Sequence, residues 1–599
     1  MGYVRSVWLG VFVFISIHGY GNIRLFEASS RVIQTPDHIY RTAYHFQPAK
    51  YWMNDPNGKF LKVSLCLVRQ KSFMKIVMHA GPVIYMGIYH LFYQYNLYDA
   101  QTSNIVWGHS TSTDLVNWTP QPPALLRSEP YDFKGCFTGS TTLLSGGKPA
   151  VLYTGLDFSG IQVQNLAVPK NVADPYLTEW VKSPYNPLIA PNSVNKIDGQ
   201  NFRDPSTAWL NPDGNWRMVV GNQQNGSGIG LLYRSKNFID WIQAENPLHF
   251  LNNSGMWECP DFFPVSKISK NGLETSTIGQ NVKHVFKAST ANTDYYTIGT
   301  YNPTNDIFIP DNRSLDIGLG FRYDYGKFYA SKTFFDSSTS RRILFGWVNE
   351  SVNNLEINSM RGWAGLQGIP RRIWLHKSGN QLLQWPIVEI EKLRMNPVIE
   401  DTTVLMPGSI REISGVNATQ ADVEMSFSAK TLENAEKWEA NWNNPQLVCS
   451  IKGATVKGGL GPFGLLVLAS KDMQEYTAIF FRIFKGDNNN FIVLMCSDQT
   501  RTHFCRSSLR LPSSDYDKTT YGVLLNVDPL QEKLSLRTLI DHSIVESFGG
   551  EGKACITTRV YPTNLAVDGS THLYVFNNGS QSVDISKLTA WSMKTAQIN

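Results

Sequence analysis

Between about Arg41 and Trp385 the chain is a succession of short β-rich runs separated by clusters of Gly, Pro, Asn and Asp. Ile88 to Tyr95, Ala150 to Tyr153, Trp216 to Val220, Tyr295 to Thr300 and Ile343 to Val348 are examples. Runs of this length between turn residues, with no long stretch of apolar positions at helical spacing, predict strands and an all-β architecture. One segment repeats: Ser112-Thr-Asp-Leu-Val-Asn-Trp118 returns as Ser235-Lys-Asn-Phe-Ile-Asp-Trp241, with polar, apolar and Trp positions in register. Similar blades arranged radially, as in a β-propeller, generate such echoes. From Gln384 to Met395 the spacing changes. Ile387, Ile390 and Leu393 stand three residues apart, which predicts a short helical connector. Beyond it Val423-Glu-Met-Ser-Phe427 alternates strictly, and Tyr476 to Phe484, Phe491 to Cys496 and Leu534 to Leu539 are apolar or aromatic. Two antiparallel sheets packed face to face are expected there. The expected organisation is a first all-β domain over residues 41–383, a linker over 384–402 and a β-sandwich over 403–599. Gly459-Leu-Gly-Pro-Phe-Gly464 fits a dinucleotide-binding spacing, but strand-like Leu465-Leu-Val-Leu468 follows it rather than a helix, so it reads as a turn.

Charge and composition add the compartment. Of 599 residues, 54 are Lys or Arg and 49 Asp or Glu, and a net charge of +5 on so long a chain is no nucleic-acid footprint. Aromatics reach 12% with 16 Trp, which excludes disorder as the dominant state. The N-terminus carries Arg5, an apolar run from Val7 to Ile17, then Gly19 and Gly21. A basic start, a short apolar middle and a small-residue end predict a secretory signal over residues 1–21. No later apolar run reaches the length of about 20 residues that a membrane span needs. Acceptor sequons for N-glycosylation stand at Asn117, Asn225, Asn252, Asn312, Asn349, Asn417 and Asn578, in keeping with a secreted glycoprotein. Seven cysteines are too few for a disulfide scaffold, and neither a paired Cys-x-x-Cys nor a His-Glu-x-x-His pattern is present, so no metal is expected.

Three acids sit in Trp- and Pro-rich settings: Asp55 in Trp52-Met53-Asn54-Asp-Pro-Asn-Gly58, Asp204 in Asn201-Phe-Arg203-Asp-Pro205, and Glu258 in Trp257-Glu-Cys-Pro-Asp-Phe262. A proline after an acid holds that acid in extended backbone, and Trp offers a flat face to a sugar ring. Glycoside hydrolysis with retention needs one carboxylate to attack the anomeric carbon and one carboxyl to protonate the leaving oxygen.

These segments resemble the motifs of glycoside hydrolase family 32, specifically plant cell-wall-type invertases and fructan exohydrolases. The resemblance runs from about Arg41 to the C-terminus. It includes Tyr89-His-Leu-Phe-Tyr-Gln94-Tyr-Asn96, Trp107-Gly-His-Ser110, Gly362-Trp-Ala-Gly365 and Leu539-Ile-Asp-His-Ser-Ile-Val-Glu-Ser-Phe548. It implies a five-bladed propeller followed by a β-sandwich, with fructose bound in the central funnel. It also implies Asp55 as nucleophile, Glu258 as general acid/base and Asp204 as stabiliser of the transition state, the last kept charged by Arg203. Trp52, Met53, Asn54, Gln94, Phe137, Thr138 and Arg203 match substrate-contact positions, and Cys449 and Cys496 match a bridged pair; Cys259 reads as a buried thiol beside the site. No cofactor is implied, nor any partner beyond a fructan or sucrose substrate, and a secreted, monomeric enzyme of the cell wall is expected ahead of a vacuolar one, in part from Pro260.

Several departures bear on the substrate. Phe137-Thr138-Gly-Ser140 stands where the family has Trp-Ser-Gly-Ser, and a family Trp soon after Asn96 is replaced by Gln101-Thr-Ser-Asn104. Invertases of the group carry an Asp and a Lys before Asp-Tyr-Tyr that help to hold the glucose half of sucrose; here the loop is Ser289-Thr-Ala-Asn-Thr-Asp294, shorter and without either. That favours longer fructans over sucrose. Invertase action, transfructosylation and non-catalytic fructan binding are the alternatives.

The largest departure is a 23-residue tract from Lys59 to Gly81, inserted where the family runs directly from Gly58 to Pro82. It holds Lys59, Lys62, Arg69, Lys71 and Lys75 and no acid, so it accounts for the whole net charge, and it includes Cys66. Gly58-Lys-Phe60 can be written GGTAAGTTT, with a splice-donor GTAAGT, and Ala80-Gly81 as GCAGGN, with an acceptor AG. A retained intron is therefore the expected origin, and a basic lid or lectin loop the alternative; transcripts that never lack the tract would rule the intron out.

Overall fold

The computed structural model describes residues 39–54, 82–101, 104–350, 358, 361–487, 490–502, 519–563 and 570–598. The signal segment, Asp55 and the tract 59–81 lie outside the described residues. Five antiparallel sheets follow one another along the chain, each a meander in sequence order. The first holds Val83–Tyr85, Ile88–Asn96, Ile105–Ser112 and Thr119–Leu125. The second holds Gly135–Leu144, Lys148–Leu156, Gln162–Pro169 and Trp180–Lys182. The third is built on Phe202–Arg203, Trp216–Gln224, Ser227–Ser235 and Ile242–Gln243, the fourth on Glu258–Ser266, Val282–Thr290, Thr293–Asn302 and Ile307–Pro310. The fifth comprises Phe328–Asp336, Arg341–Val348, Arg371–Leu375 and Leu382–Pro386.

Contacts between the leading strands make these sheets the blades of a propeller. The Ser140 hydroxyl of blade two donates to the Pro205 carbonyl after the leading strand of blade three, at 2.8 Å. Arg203 of blade three reaches Glu258 of blade four at 2.7 Å. The backbone N–H and hydroxyl of Thr333 in blade five both donate to Asp261 of blade four. Lys332 of blade five donates both to the Pro260 carbonyl at 2.8 Å and, across the ring, to Ser140 at 3.0 Å. The leading strands therefore surround one axis. The ring closes where Tyr51–Trp52 pairs in parallel with Trp363–Ala364 beside blade five, while Met53 bridges to Tyr95 in blade one.

The repeated heptad is one turn used in two blades. Ser112 Oγ accepts from the N–H of Leu115, and Ser235 Oγ from that of Phe238; Leu115 and Phe238 both sit at positive φ, 64° and 66°. The indole N–H of Trp118 and Trp241 then donates back to Leu115 and Phe238, at 3.2 Å in each case. Blade two carries a third copy, Leu177 at φ 49° with Trp180 donating to its carbonyl, hidden in the sequence because only the apolar residue and the Trp are kept.

The expected linker over 384–402 is mostly strand. Leu382–Pro386 is the last strand of blade five, and Arg394–Glu400 pairs with Val583–Met593 in the second domain. The connector itself is the 3-10 helix Val388–Leu393, whose three-residue turn explains the three-residue spacing of Ile387, Ile390 and Leu393. The second domain is a sandwich of two seven-stranded sheets, with Val423, Met425 and Phe427 facing its core as the alternation requires. Gly459 to Gly464 is not a turn: from Leu460 onward it lies in the strand Leu460–Ser470, bulged between Leu460 and Phe463. Cys449, on the helix Pro445–Ile451, is disulfide-bonded to Cys496. No helix among the described residues is long and apolar enough to cross a membrane.

Candidate active site

The predicted site residues sit at the entry of the leading strands, one blade after another. Arg203 and Asp204 come from blade three, Glu258 opens the leading strand of blade four, and Phe137 and Thr138 belong to that of blade two. Asn54 stands between blades one and five, its N–H donating to the Gln94 carbonyl at 3.4 Å and its side-chain oxygen accepting from the Trp52 indole.

Glu258 is buried and held at both oxygens. Arg203 Nη2 donates to Oε1 at 2.7 Å, and the hydroxyl of Tyr329, the second residue of the leading strand of blade five, donates to Oε2 at 2.7 Å. Burial, reinforced by Glu258, pushes the Tyr329 phenol well above its ordinary value, so it stays a neutral donor. Sequence reasoning missed Tyr329, which lies in Lys327-Phe-Tyr-Ala330 with no acid or Gly-Pro signal; only its place at the start of a fifth inner strand marks it.

Asp204 takes a left-handed backbone, φ 70°, costly for a residue with a Cβ. Its Oδ2 accepts from the backbone N–H of Cys259 at 2.9 Å and from the thiol at 3.4 Å, while Oδ1 is buried with no partner. Cys259 is a buried thiol, also at positive φ. The expectation that Asp204 stays charged beside Arg203 is corrected. Burial, offset in part by an Arg203 Nε 4.0 Å away, pushes the carboxyl up to about 7.

Other predicted substrate-contact residues are enclosed by the protein itself. The Gln94 amide donates to the Cys136 carbonyl at 2.8 Å, and Trp107 donates to the Phe137 carbonyl at 2.9 Å. Trp52 is 4% exposed and packs on Trp347 at a ring distance of 6.2 Å, an enclosed wall rather than an open stacking face. Met53, Phe137 and Thr138 are likewise buried. No cluster of His, Cys, Asp and Glu suited to a metal occurs among the described residues.

The shortened loop before Asp294 is a two-residue hairpin turn. Thr290 pairs with Thr293, and Ala291 and Asn292 both have positive φ, as a type I′ turn requires. Neither central residue carries a charge.

Residues 79–386 match the glycosyl hydrolases family 32 N-terminal domain, and residues 389–592 the glycosyl hydrolases family 32 C-terminal domain. The chain belongs to glycoside hydrolase family 32. Like the rest of the family it is a glycosidase, with the five-bladed propeller and β-sandwich described above. The N-terminal match begins at 79, near the end of the basic tract, so Trp52 to Gly58 precedes it. An insoluble β-fructofuranosidase of Arabidopsis thaliana is 52% identical over 96% of this chain and 94% of its own. A fructan 6-exohydrolase of Beta vulgaris is 54% identical over 94% of this chain and 88% of its own. The crystal structure of fructan 1-exohydrolase IIa from Cichorium intybus superimposes with a TM-score of 0.86 at 48% identity, covering 94% of this chain and 98% of the other; a variant of that enzyme is known in complex with 1-kestose.

Proposed function

We propose that this family 32 glycosidase is a retaining exo-hydrolase that removes terminal β-fructofuranosyl units from fructans, with Asp55 as nucleophile, Glu258 as acid/base and Asp204 as transition-state stabiliser. The observation that carries the fructan preference is the two-residue turn at Ala291-Asn292, which has no charged side chain to anchor the glucose half of sucrose.

In the first step the Asp55 carboxylate bonds to the anomeric C2 as the C2–O bond to the rest of the fructan breaks, and Glu258 gives its proton to the departing oxygen. In the second, water attacks C2, its proton passes to Glu258, and the C2–Asp55 bond breaks. The geometry favours one oxygen of Glu258 as the carrier of the proton. Arg203 on Oε1 has donors only, whereas the Tyr329 hydroxyl on Oε2 can turn from donor to acceptor, so the transferable proton rides on Oε2. Asp204 strengthens its hydrogen bonds to the fructosyl ring as positive charge develops there. Trp52, Met53, Asn54, Gln94, Phe137 and Thr138 enclose the ring.

A mainly sucrose-cleaving enzyme is the second reading, favoured by the likeness to the Arabidopsis β-fructofuranosidase. Fructose release from levan, inulin and sucrose separates the readings: faster turnover of levan or inulin is expected, faster turnover of sucrose overturns the preference, and binding without release from any of them overturns the enzyme. The same reading places a monomer in the cell wall after removal of residues 1–21. Glycans go first to the exposed Asn117, Asn225, Asn252, Asn312 and Asn417, ahead of the half-buried Asn349 and Asn578.

A further inference from the structure

The strand that carries Arg203 and leads into Asp204 is only two residues long, Phe202–Arg203, and its ladder to Trp216–Gln224 serves one edge alone. On the other edge its backbone is met by side chains of blade two. The Phe202 N–H donates to Gln162 Oε1 at 2.9 Å, and the Phe202 carbonyl accepts from Gln164 Nε2 at 2.9 Å. The Asp204 N–H donates to Thr154 Oγ1 at 2.9 Å, and the Thr154 hydroxyl in turn donates to Gln164 Oε1 at 2.9 Å. Gln162 also accepts from Arg203 Nη1 at 3.3 Å and donates to the Gln200 carbonyl at 2.7 Å.

All three side chains are essentially inaccessible to solvent. Gln162 and Gln164 are two residues apart on one strand and face the same way, and Thr154 is the direct cross-strand partner of Gln164. Buried amides commit every donor and acceptor they can, because an unpaired buried polar group is costly. Here that commitment is to a two-residue strand and to the left-handed Asp204 just after it, whose N–H is met by Thr154 and not by the ladder.

We infer that Thr154, Gln162 and Gln164 are positioning residues of the hydrolytic site: they form a side-chain edge from the neighbouring blade that fixes the backbone of Arg203 and Asp204, and through Arg203 the orientation of Glu258. The inference rests on the proposed hydrolysis, but the holding of Asp204 is measurable apart from it. Thr154 fixes the Asp204 backbone from which the carboxylate projects, while Gln162 sets the Arg203 guanidinium and so one oxygen of the acid/base. A displacement of about 1 Å at such a group costs about 100-fold in rate.

The test compares Thr154→Val, which keeps the shape and deletes the hydroxyl, with Thr154→Ser, which restores it, in the full chain. The expected result is a fall in kcat for fructose release of about 10- to 100-fold in Thr154→Val with KM changed less than threefold. Recovery to within about threefold of the parent is expected in Thr154→Ser, with faster amide hydrogen exchange confined to the peptide spanning residues 202–205 in Thr154→Val. An unchanged kcat with an unchanged exchange pattern, or a loss of melting temperature with full activity per folded molecule, overturns the inference. If Thr154→Val does not fold, Gln162→Leu is read in the same way, with the pH dependence of kcat as the readout that reports on Glu258 through Arg203. If the parent chain releases no fructose from any substrate, the functional reading fails by itself, and exchange at residues 202–205 decides whether these side chains hold Asp204.

Discussion

Asp204 shows how burial and charge compete at a single residue. Its carboxyl lies 4.0 Å from a guanidinium nitrogen, yet lost hydration outweighs that attraction and lifts its protonation to about pH 7. An acid whose folded value stands above its unfolded value stabilises the fold least when deprotonated. Its contribution is greatest below about pH 4 and falls as the pH rises toward 7. The Asp204→Asn variant is therefore expected to melt above the parent, by a margin that grows from pH 4 to pH 8 and reaches at most about 4 kcal/mol. Thermal unfolding of both proteins across that range checks it; a margin independent of pH contradicts the assignment. Asp204 and Glu258, which Arg203 joins in the structure, stood out in sequence because each lies in a short segment of aromatic residue and proline, while Asp55 lies outside the described residues. Tyr329 did not stand out, since its role depends on a neighbour 71 positions away in the chain. The charge state of Asp204 was misjudged because adjacency to Arg203 in sequence says nothing about exclusion of water.

Among the elements, strands and turns were legible, and boundaries less so. The period-two alternation at Val423 to Phe427 and the Trp-closed turns at Ser112 and Ser235 are local in cause, so the sequence carries them. Arg394–Glu400 looked like linker because it reads Arg-Met-Asn-Pro-Val-Ile-Glu, with few apolar positions; it is an edge strand, recruited by its partner Val583–Met593. The tract 59–81 interrupts the chain between Asn54, buried at the ring closure, and Val83–Tyr85, the leading strand of blade one. Removing those 23 residues rejoins Gly58 to Pro82 as in the family. The shortened chain is expected to release fructose at least about 10-fold faster than the full chain, because small displacements at a nucleophile are costly. Equal rates would make the tract a tolerated insertion, without effect on the site.

Over the whole molecule, the sandwich is bonded to the propeller rather than tethered beside it. Asp541 of the sandwich accepts from the backbone N–H groups of Ala43, Tyr44 and His45 and from the His45 ring at 2.8 Å, and Arg371 of blade five bonds to Asp324 and Glu546. Burial alone lowers the His45 value, but hydrogen bonds to Asp541 and Glu546 outweigh it and the net direction is up, while Asp541 is held well below the usual carboxylate range. The His45 contribution is fully present below about pH 6.5 and fades as the pH rises through its folded value. That of Asp541 is present above about pH 4 and fades on acidification. The tie is strongest between those limits. His45→Gln is expected to lower the melting temperature more at pH 5 than at pH 8, with a cost of about 3 kcal/mol at the lower pH; an equal loss at both contradicts it.

The proposed preference for a fructan over sucrose rests on the uncharged turn at Ala291-Asn292, and one comparison tests it most directly. It is the ratio of kcat/KM for release of fructose from a levan or inulin oligomer to that from sucrose, measured on the same preparation with and without residues 59–81. A ratio above about 10 in favour of the oligomer is predicted, equivalent to about 1.4 kcal/mol of differential transition-state binding. A ratio below one, with sucrose the better substrate, would contradict it.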